Sequence, residues 1–299
     1  MPEKEKIGSG KIVRFADAKR ETESSRKETT VTNRSDEEKK LLDEVRPNVA
    51  AQMRAPLSVM YACMRKLVAS DAPGSDLMNR SYYQLLRLAA NLSAAEWMED
   101  GIYGADLRNG DIAAFCAGLS ERIAPLAAEK GIEWSYVCAK KSHTIVFDRR
   151  LMERLVLNLV SNALKFTPAG GRVTLSLQVK GRDVLLSVAD TGCGIAKDKM
   201  ETLFDRYLHS DRMDPTPHGL GLGLPLCRAI AQLHGGRIVA QSRVGAGTKI
   251  TVTLPNEQSV IQHLESACEF DYAGGYDHVL IELSDALGVS AYPWKGRTK

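Results

Sequence analysis

Residues 158–167 read NLVSNALKFT, and their spacing decides how the chain is divided. Asn158 and Asn162 are four residues apart, so they share one face of a helix. Lys165 lies further along the same helix. The surrounding run DRRLMERLVLNLVSNALKFT carries apolar residues at helical period and predicts a helix of about 18 residues. Taken alone, this is equally a pair of surface asparagines on an amphipathic helix.

Working outward, NGDIAAFCAGLSERIAPLAAEKG (109–131) reads as a preceding helix with Asp111 near its start. IEWSYVC and HTIVFD are strand-like, and GRVTLSLQVKGRDVLLSVAD gives two strands around a Lys-Gly-Arg-Asp turn. LCRAIAQLHG is helical, and GRIVAQSRVGAGTKITVTLP gives two more strands. Helices interleaved with hairpin-connected strands predict a layered sandwich, with helices on one face of a mixed sheet.

Upstream the period changes. Leu42, Val45, Val49, Met53, Pro56, Met60, Cys63 and Leu67 form one apolar face of a long helix, kinked at Pro56. SDAPGSD at 70–76 is a turn. Tyr82, Leu85, Leu86, Ala89, Leu92, Ala95 and Trp97 make a second stripe, ending near Asp100 and Gly101. Two such helices joined by a short loop form an antiparallel hairpin, and pairing with a second copy into a four-helix bundle would bury its stripe. Residues 1–38 are polar and charged and read as a flexible leader. The GSGK at 8–11 lacks the glycine spacing and the final Ser or Thr of a P-loop.

The net charge of +3 is spread along the chain, so no nucleic-acid stripe is expected. Six cysteines without ligand-like spacing argue against a metal site or disulfides and favour a reduced, cytoplasmic setting. No run of about 18 apolar residues predicts a membrane span. The first residues, MPEKEKIGSGK, lack the apolar centre of a signal peptide.

Further motifs follow in order. DTGCGI (190–195) comes straight after an apolar strand, and LFDRY (203–207) precedes the polar, Pro-containing LHSDRMDPTPH (208–218), a lid-like segment. GLGLGL places Gly219, Gly221 and Gly223 before a helix, and GAGT (245–248) closes the series. On these motifs, residues 109–256 resemble the ATP-binding catalytic domain of sensor histidine kinases, the fold shared with DNA gyrase, Hsp90 and MutL. The hairpin at 39–102 resembles their dimerisation and histidine-phosphotransfer domain. The expected fold class is α+β: a long helical hairpin followed by a Bergerat-type α/β sandwich.

The resemblance implies roles. Asn158 would coordinate Mg2+ through its side-chain oxygen, with Asn162 and Lys165 supporting metal and phosphates; oxygen ligands suit that ion. Asp190 would accept from the exocyclic amine of adenine, discriminating against guanine. Gly192 and Gly194 leave room beside the base. Phe204 would position the lid or pack beneath the base, or belong only to the core. Backbone amides near Gly219, Gly221 and Gly223 would face phosphate oxygens. The GAGT motif, ending at Thr248, would close the nucleotide pocket. ATP and Mg2+ are thus the expected cofactors. His209 and His218 flank the lid, and His234 sits at a helix end.

The same resemblance exposes a loss. The family's first hairpin helix carries a histidine, an acidic residue, a hydrophobic one, then Arg-Thr-Pro-Leu or close to it. Here the run is Ala51-Gln52-Met53-Arg54-Ala55-Pro56-Leu57. Ala51 has no nucleophile, Gln52 is no general base near neutral pH, and Ala55 cannot orient a water. The hairpin holds no histidine at all. The expectation is an ATP-binding module defective in self-phosphorylation. It would act as a homodimer or heterodimer through 39–102, with an active histidine kinase or a response regulator as partner. Alternatives are a non-catalytic adaptor with a vestigial ATP site, or an ATPase of the same superfamily. Residues 257–299 carry no motif. Ile261, Leu264, Val279, Leu280, Leu283 and Leu287 would cover a groove or bind a partner.

Overall fold

The computed structural model describes Leu57, Tyr61 and residues 74–99, 105–204, 222–259 and 276–293. The chain divides into units Met1–Val49 and Ala50–Lys299, and every described residue belongs to the second. Ala51, Gln52, Ala55, Ile261, Leu264 and the leader lie outside the described residues, as does the lid-like segment.

The first full element is α1 (Ser75–Glu99), the expected second hairpin helix. After it come β1 (Arg108–Asp111), α2 (Ile112–Glu129), β2 (Glu133–Cys138), β3 (Thr144–Phe147) and α3 (Arg149–Phe166). Then follow β4 (Arg172–Lys180), β5 (Asp183–Asp190), a short α4 (Lys197–Met200) and α5 (Gly223–Leu233). β6 (Arg237–Arg243), β7 (Gly247–Pro255), α6 (His278–Glu282) and a 3-10 turn (Val289–Ala291) are the remaining elements among the described residues.

Five strands form a mixed sheet in the order β2-β4-β5-β7-β6, with only β2 and β4 parallel. Alternation fixes its buried face. Val173, Leu175 and Leu177 of β4 lie beside Val184, Leu186 and Val188 of β5 and Ile250, Val252 and Leu254 of β7. The helices α2, α3 and α5 cover this face. The opposite face carries polar cross-strand pairs such as Ser135 with Thr174 (2.8 Å) and Ser187 with Thr251 (2.9 Å). β1 was not expected from the sequence. Its four residues, RNGD, show no alternation, and it exists because it pairs with β3, Asn109 opposite Val146.

Both long helices of the sandwich begin on an aspartate cap. Asp111 Oδ1 accepts from the amides of Ala113 (3.0 Å) and Ala114 (2.9 Å), and Asp148 Oδ1 from Arg150 (2.9 Å) and Leu151 (3.1 Å). The α3 cap fixes where the helix starts, and therefore which way Asn158, Asn162 and Lys165 point.

Two features refine the expected hairpin and the C-terminal segment, expected either to cover a groove or to bind a partner. First, α1 buries a mixed face, Tyr82, Ala89 and Ala90 together with Asn79, Arg87 and Ser93, while Leu77, Met78 and Leu88 are exposed. Second, the C-terminal segment is part of the core. Val279, Leu283, Leu287 and Tyr292 are buried in the same cluster as α3 and the sheet. Tyrosines fasten this segment to the hairpin: Tyr61 stacks on Tyr82 with centroids 4.7 Å apart, and Tyr82 Oη donates to Tyr276 Oη at 3.2 Å. Tyr83 packs on Tyr292 at 5.1 Å, and Asn79 Nδ2 donates to the Tyr292 carbonyl at 3.2 Å.

Candidate functional site

At one end of the site stands Asp190, the last residue of β5. Its Oδ1 accepts from the amides of Gly192 (2.8 Å) and Thr248 (3.2 Å), while Oδ2 has no hydrogen bond among the described residues. Desolvation pushes the Asp190 carboxyl above the usual carboxylate range, and the two amides oppose that rise. The glycines around it are required by space. A Cβ on Gly192 would lie 2.4 Å from the Phe166 carbonyl oxygen, and one on Gly194 (φ +69°) 2.1 Å from that of Arg243. On Gly247 (φ +90°) it would lie 2.0 Å from the Asp190 carbonyl oxygen. Ser242 Oγ accepts from Ile195 N (2.8 Å) and bonds Thr248 Oγ1 (2.9 Å), joining the 190–195 loop to the β6–β7 turn. The result is a hydrogen-bonded rim with one carboxylate oxygen that takes no hydrogen bond among the described residues.

At the other end lies the α3 face. Asn162 and Lys165 are half-buried. Desolvation pulls the Lys165 ammonium below its usual pKa; nearby Asp285 opposes this and Arg87 adds to it. Asn158, the expected metal ligand, is only 1% exposed. Its Nδ2 donates to the Arg154 carbonyl (3.0 Å) and to Glu282 Oε2 (3.2 Å), and its Oδ1 accepts from Arg87 Nη2 (3.3 Å). The first residue of α5, Gly223, sits directly above: a Cβ there would lie 2.9 Å from Asn158 Oδ1. Leu222, before α5, supplies no side-chain cap.

Glu282 is wholly buried between two arginines, with Arg87 Nε 3.4 Å from Oε2 and Arg154 Nε 3.4 Å from Oε1. Arg87 Nη1 also meets Asp285 Oδ2 at 2.6 Å. Arg154 Nη2 donates to Asn91 Oδ1 at 3.0 Å. These four charged residues were not singled out from the sequence. The signal available was Arg87 within LLRLAANL, and Glu282 and Asp285 three residues apart in the otherwise apolar HVLIELSDALG.

The structure therefore brings Asp190, Gly192, Gly194 and Thr248 together at one end, and Asn158, Asn162, Lys165 and Gly223 at the other. Phe204 is partly buried against the core. Gly219, Gly221, His209 and His218 lie outside the described residues. His234 is satisfied structurally: its Nε2 accepts from Asp148 N (3.0 Å) and its Nδ1 bonds the Ile230 carbonyl (2.7 Å), which positions the α3 cap. Glu153, one turn before Asn158, is held by Arg122 (3.1 Å) and His278 (3.4 Å). Among the described residues no helix is long and apolar enough to cross a membrane.

Residues 147–258 match the family described as histidine kinase-, DNA gyrase B-, and HSP90-like ATPase. The chain is 50% identical over 108 residues to the histidine protein kinase DivJ of Caulobacter vibrioides, covering 36% of this chain and 18% of that protein. It is 30% identical over 221 residues to the sensor histidine kinase WalK of Bacillus subtilis, 71% of this chain and 36% of that one. The chain thus spans well under half the length of these two relatives. A solved structure of full-length ShkA in complex with AMPPNP superimposes with a TM-score of 0.62 at 26% identity, over 72% of this chain and 46% of that one. Residues 147–258 form an α+β domain of the histidine kinase-, DNA gyrase B- and HSP90-like ATPase type.

Proposed function

We propose that the protein binds ATP with Mg2+ at this site and serves as a histidine-kinase-type module in two-component signal transduction, defective in self-phosphorylation. The observation that carries the nucleotide reading is the Asp190 carboxylate: one oxygen fixed by two backbone amides, the other open beside glycines that admit no side chain. Such an acceptor orients an adenine amine and rejects a guanine carbonyl, which would face it oxygen to oxygen. Asn162 and Lys165 offer an amide oxygen and an ammonium to a metal-bound triphosphate. Asn158 is the residue proposed for the metal, and it must first give up its present partners. When bound, ATP supplies a transferable phosphoryl group.

The hairpin sequence has alanine where the acceptor histidine would stand, so label would have to reach another chain. The protein would then act as a dimerising regulator through 39–102 or as a trans-acting kinase, with an active histidine kinase or a response regulator as partner. A second reading, a non-catalytic adaptor with a vestigial site, is favoured by the engagement of Asn158 with Glu282 and Arg87.

Calorimetry with ATP and Mg2+, followed by incubation with ATP labelled on the terminal phosphate, separates the readings. Measurable affinity with no label on the protein alone, and label on an added active kinase or its regulator, is expected. Acid-labile label on this chain by itself would overturn the acceptor-less reading. Absence of any nucleotide affinity would favour the adaptor.

A further inference from the structure

We propose that the C-terminal segment 277–292 is an internal plug whose Glu282 and Asp285 carboxylates occupy the groups that a metal-bound triphosphate would use, so that the seated segment and the bound triphosphate exclude one another. The proposal rests on the nucleotide reading of the site and adds its regulation.

The argument is one of shared partners. Glu282 Oε2 takes the Asn158 amide at 3.2 Å, and Asp285 takes Arg87 at 2.6 Å, while Arg87 itself reaches Asn158 Oδ1 at 3.3 Å. The Asn158 side chain therefore has both ends engaged and is itself buried. Gly223 lies against Asn158 on the α5 side, where a Cβ would come within 2.9 Å of Oδ1. Two carboxylates three residues apart present anionic oxygens to an arginine, an amide and the neighbourhood of Lys165, the same chemistry that phosphates present.

The apolar side chains of the plug belong to the core, but the charged contacts of Glu282 are loose. The two arginine Nε atoms face Glu282 at 3.4 Å, ion-pair distance rather than close hydrogen bonds, and such a buried carboxylate recovers little of its desolvation cost. Its anchors lie on short elements: α6 has five residues, and the Tyr292 hydroxyl ties the 3-10 turn back to the Leu280 carbonyl at 2.8 Å. On the other side it grips α1 through Gln84 Nε2 to the Ser284 carbonyl (3.4 Å) and through the tyrosine cluster. Release of the plug would remove its share of the contacts that hold α1, leaving the direct Arg87–Asn158 and Arg154–Asn91 bonds to α3, and would so couple nucleotide occupancy to the hairpin.

The test is amide hydrogen exchange on the full chain with and without ATP and Mg2+, alongside affinity for ATP measured with and without Mg2+. Saturating ATP with Mg2+ should raise exchange at Val279–Leu287 by tenfold or more while leaving the β4–β5 amides unchanged. The Glu282→Gln variant, checked for fold by circular dichroism, should bind ATP with Mg2+ about tenfold more tightly than the parent chain. Nucleotide that binds while 279–287 stays fully protected would overturn the plug and leave the nucleotide reading standing. No nucleotide binding by either the parent chain or Glu282→Gln would overturn both. The parent-chain exchange measurement decides the matter even if the variant fails to fold.

Discussion

Asn158 and Glu282 are separated by 124 residues of sequence, yet the Asn158 amide donates to the Glu282 carboxylate at 3.2 Å. That single bond places the far C-terminus on the residue expected to hold a metal ion. It also makes Glu282 the hub of a buried cluster with Arg87 and Arg154.

Replacing Glu282 by alanine should therefore be costly. Arg87 and Arg154 would lose the carboxylate between them, although Arg87 would keep Asp285, and removal of one partner from a buried pair costs about 3–5 kcal/mol. Urea unfolding of the parent and variant chains measures this directly. A loss below about 1 kcal/mol would show that the cluster is solvated in solution, as exposed pairs are.

Asp190→Ala should weaken ATP binding by at least about tenfold, the loss expected for a hydrogen bond to a charged group. The parent chain should prefer ATP to GTP, because adenine presents an amine to the open carboxylate oxygen at the position where guanine presents a carbonyl. Titration calorimetry with both nucleotides checks it, and equal affinity for the two would contradict the assignment of Asp190.

Two glycines with positive φ allow a matched comparison. Alanine at Gly247 meets both an unfavourable backbone region and the Asp190 carbonyl oxygen 2.0 Å away. Alanine at Gly170 (φ +82°) meets open space. Gly170→Ala should cost about 1–2 kcal/mol, the backbone contribution alone. Gly247→Ala should cost more and should also lower nucleotide affinity. Thermal melting with ATP titration reports both quantities.

Acid should loosen the α2 cap. Hydrogen bonds from the Ser142 side chain and from backbone amides hold the Asp111 carboxyl down at about 2. Because this folded-state value lies below that of the unfolded chain, the cap contributes fully above pH of about 4. The contribution is lost as pH falls toward about 2. Asp111→Asn, which keeps an oxygen acceptor but does not titrate, should flatten the dependence of stability on pH in that window. Asp111→Ala should cost about 1 kcal/mol at neutral pH. Denaturant midpoints at several pH values test the sign.

The elements of the sandwich were legible because their periods are unambiguous. The α3 stripe and the alternations of β4, β5 and β7 each point to one face, and that face is the buried one. The proposed adenine end is compact in sequence: Asp190, Gly192 and Gly194 sit in one loop, so its residues could be named together before any fold was known. β1 was not legible, since three polar residues and a glycine acquire strand geometry only by pairing with β3. The Arg87–Glu282–Arg154 cluster was not, since an isolated charge in an apolar stripe does not say which distant charge it meets.

By itself the sequence determined the long helices and the hairpin strands of the sandwich and the faces these bury, because those follow from local period and side-chain chemistry. It also determined that Ala51 carries no nucleophile. Only the tertiary structure decided that the C-terminal segment belongs to the core and that Glu282 and Arg87 hold Asn158. Such contacts depend on loop closure over more than a hundred residues, and no local pattern records their partners.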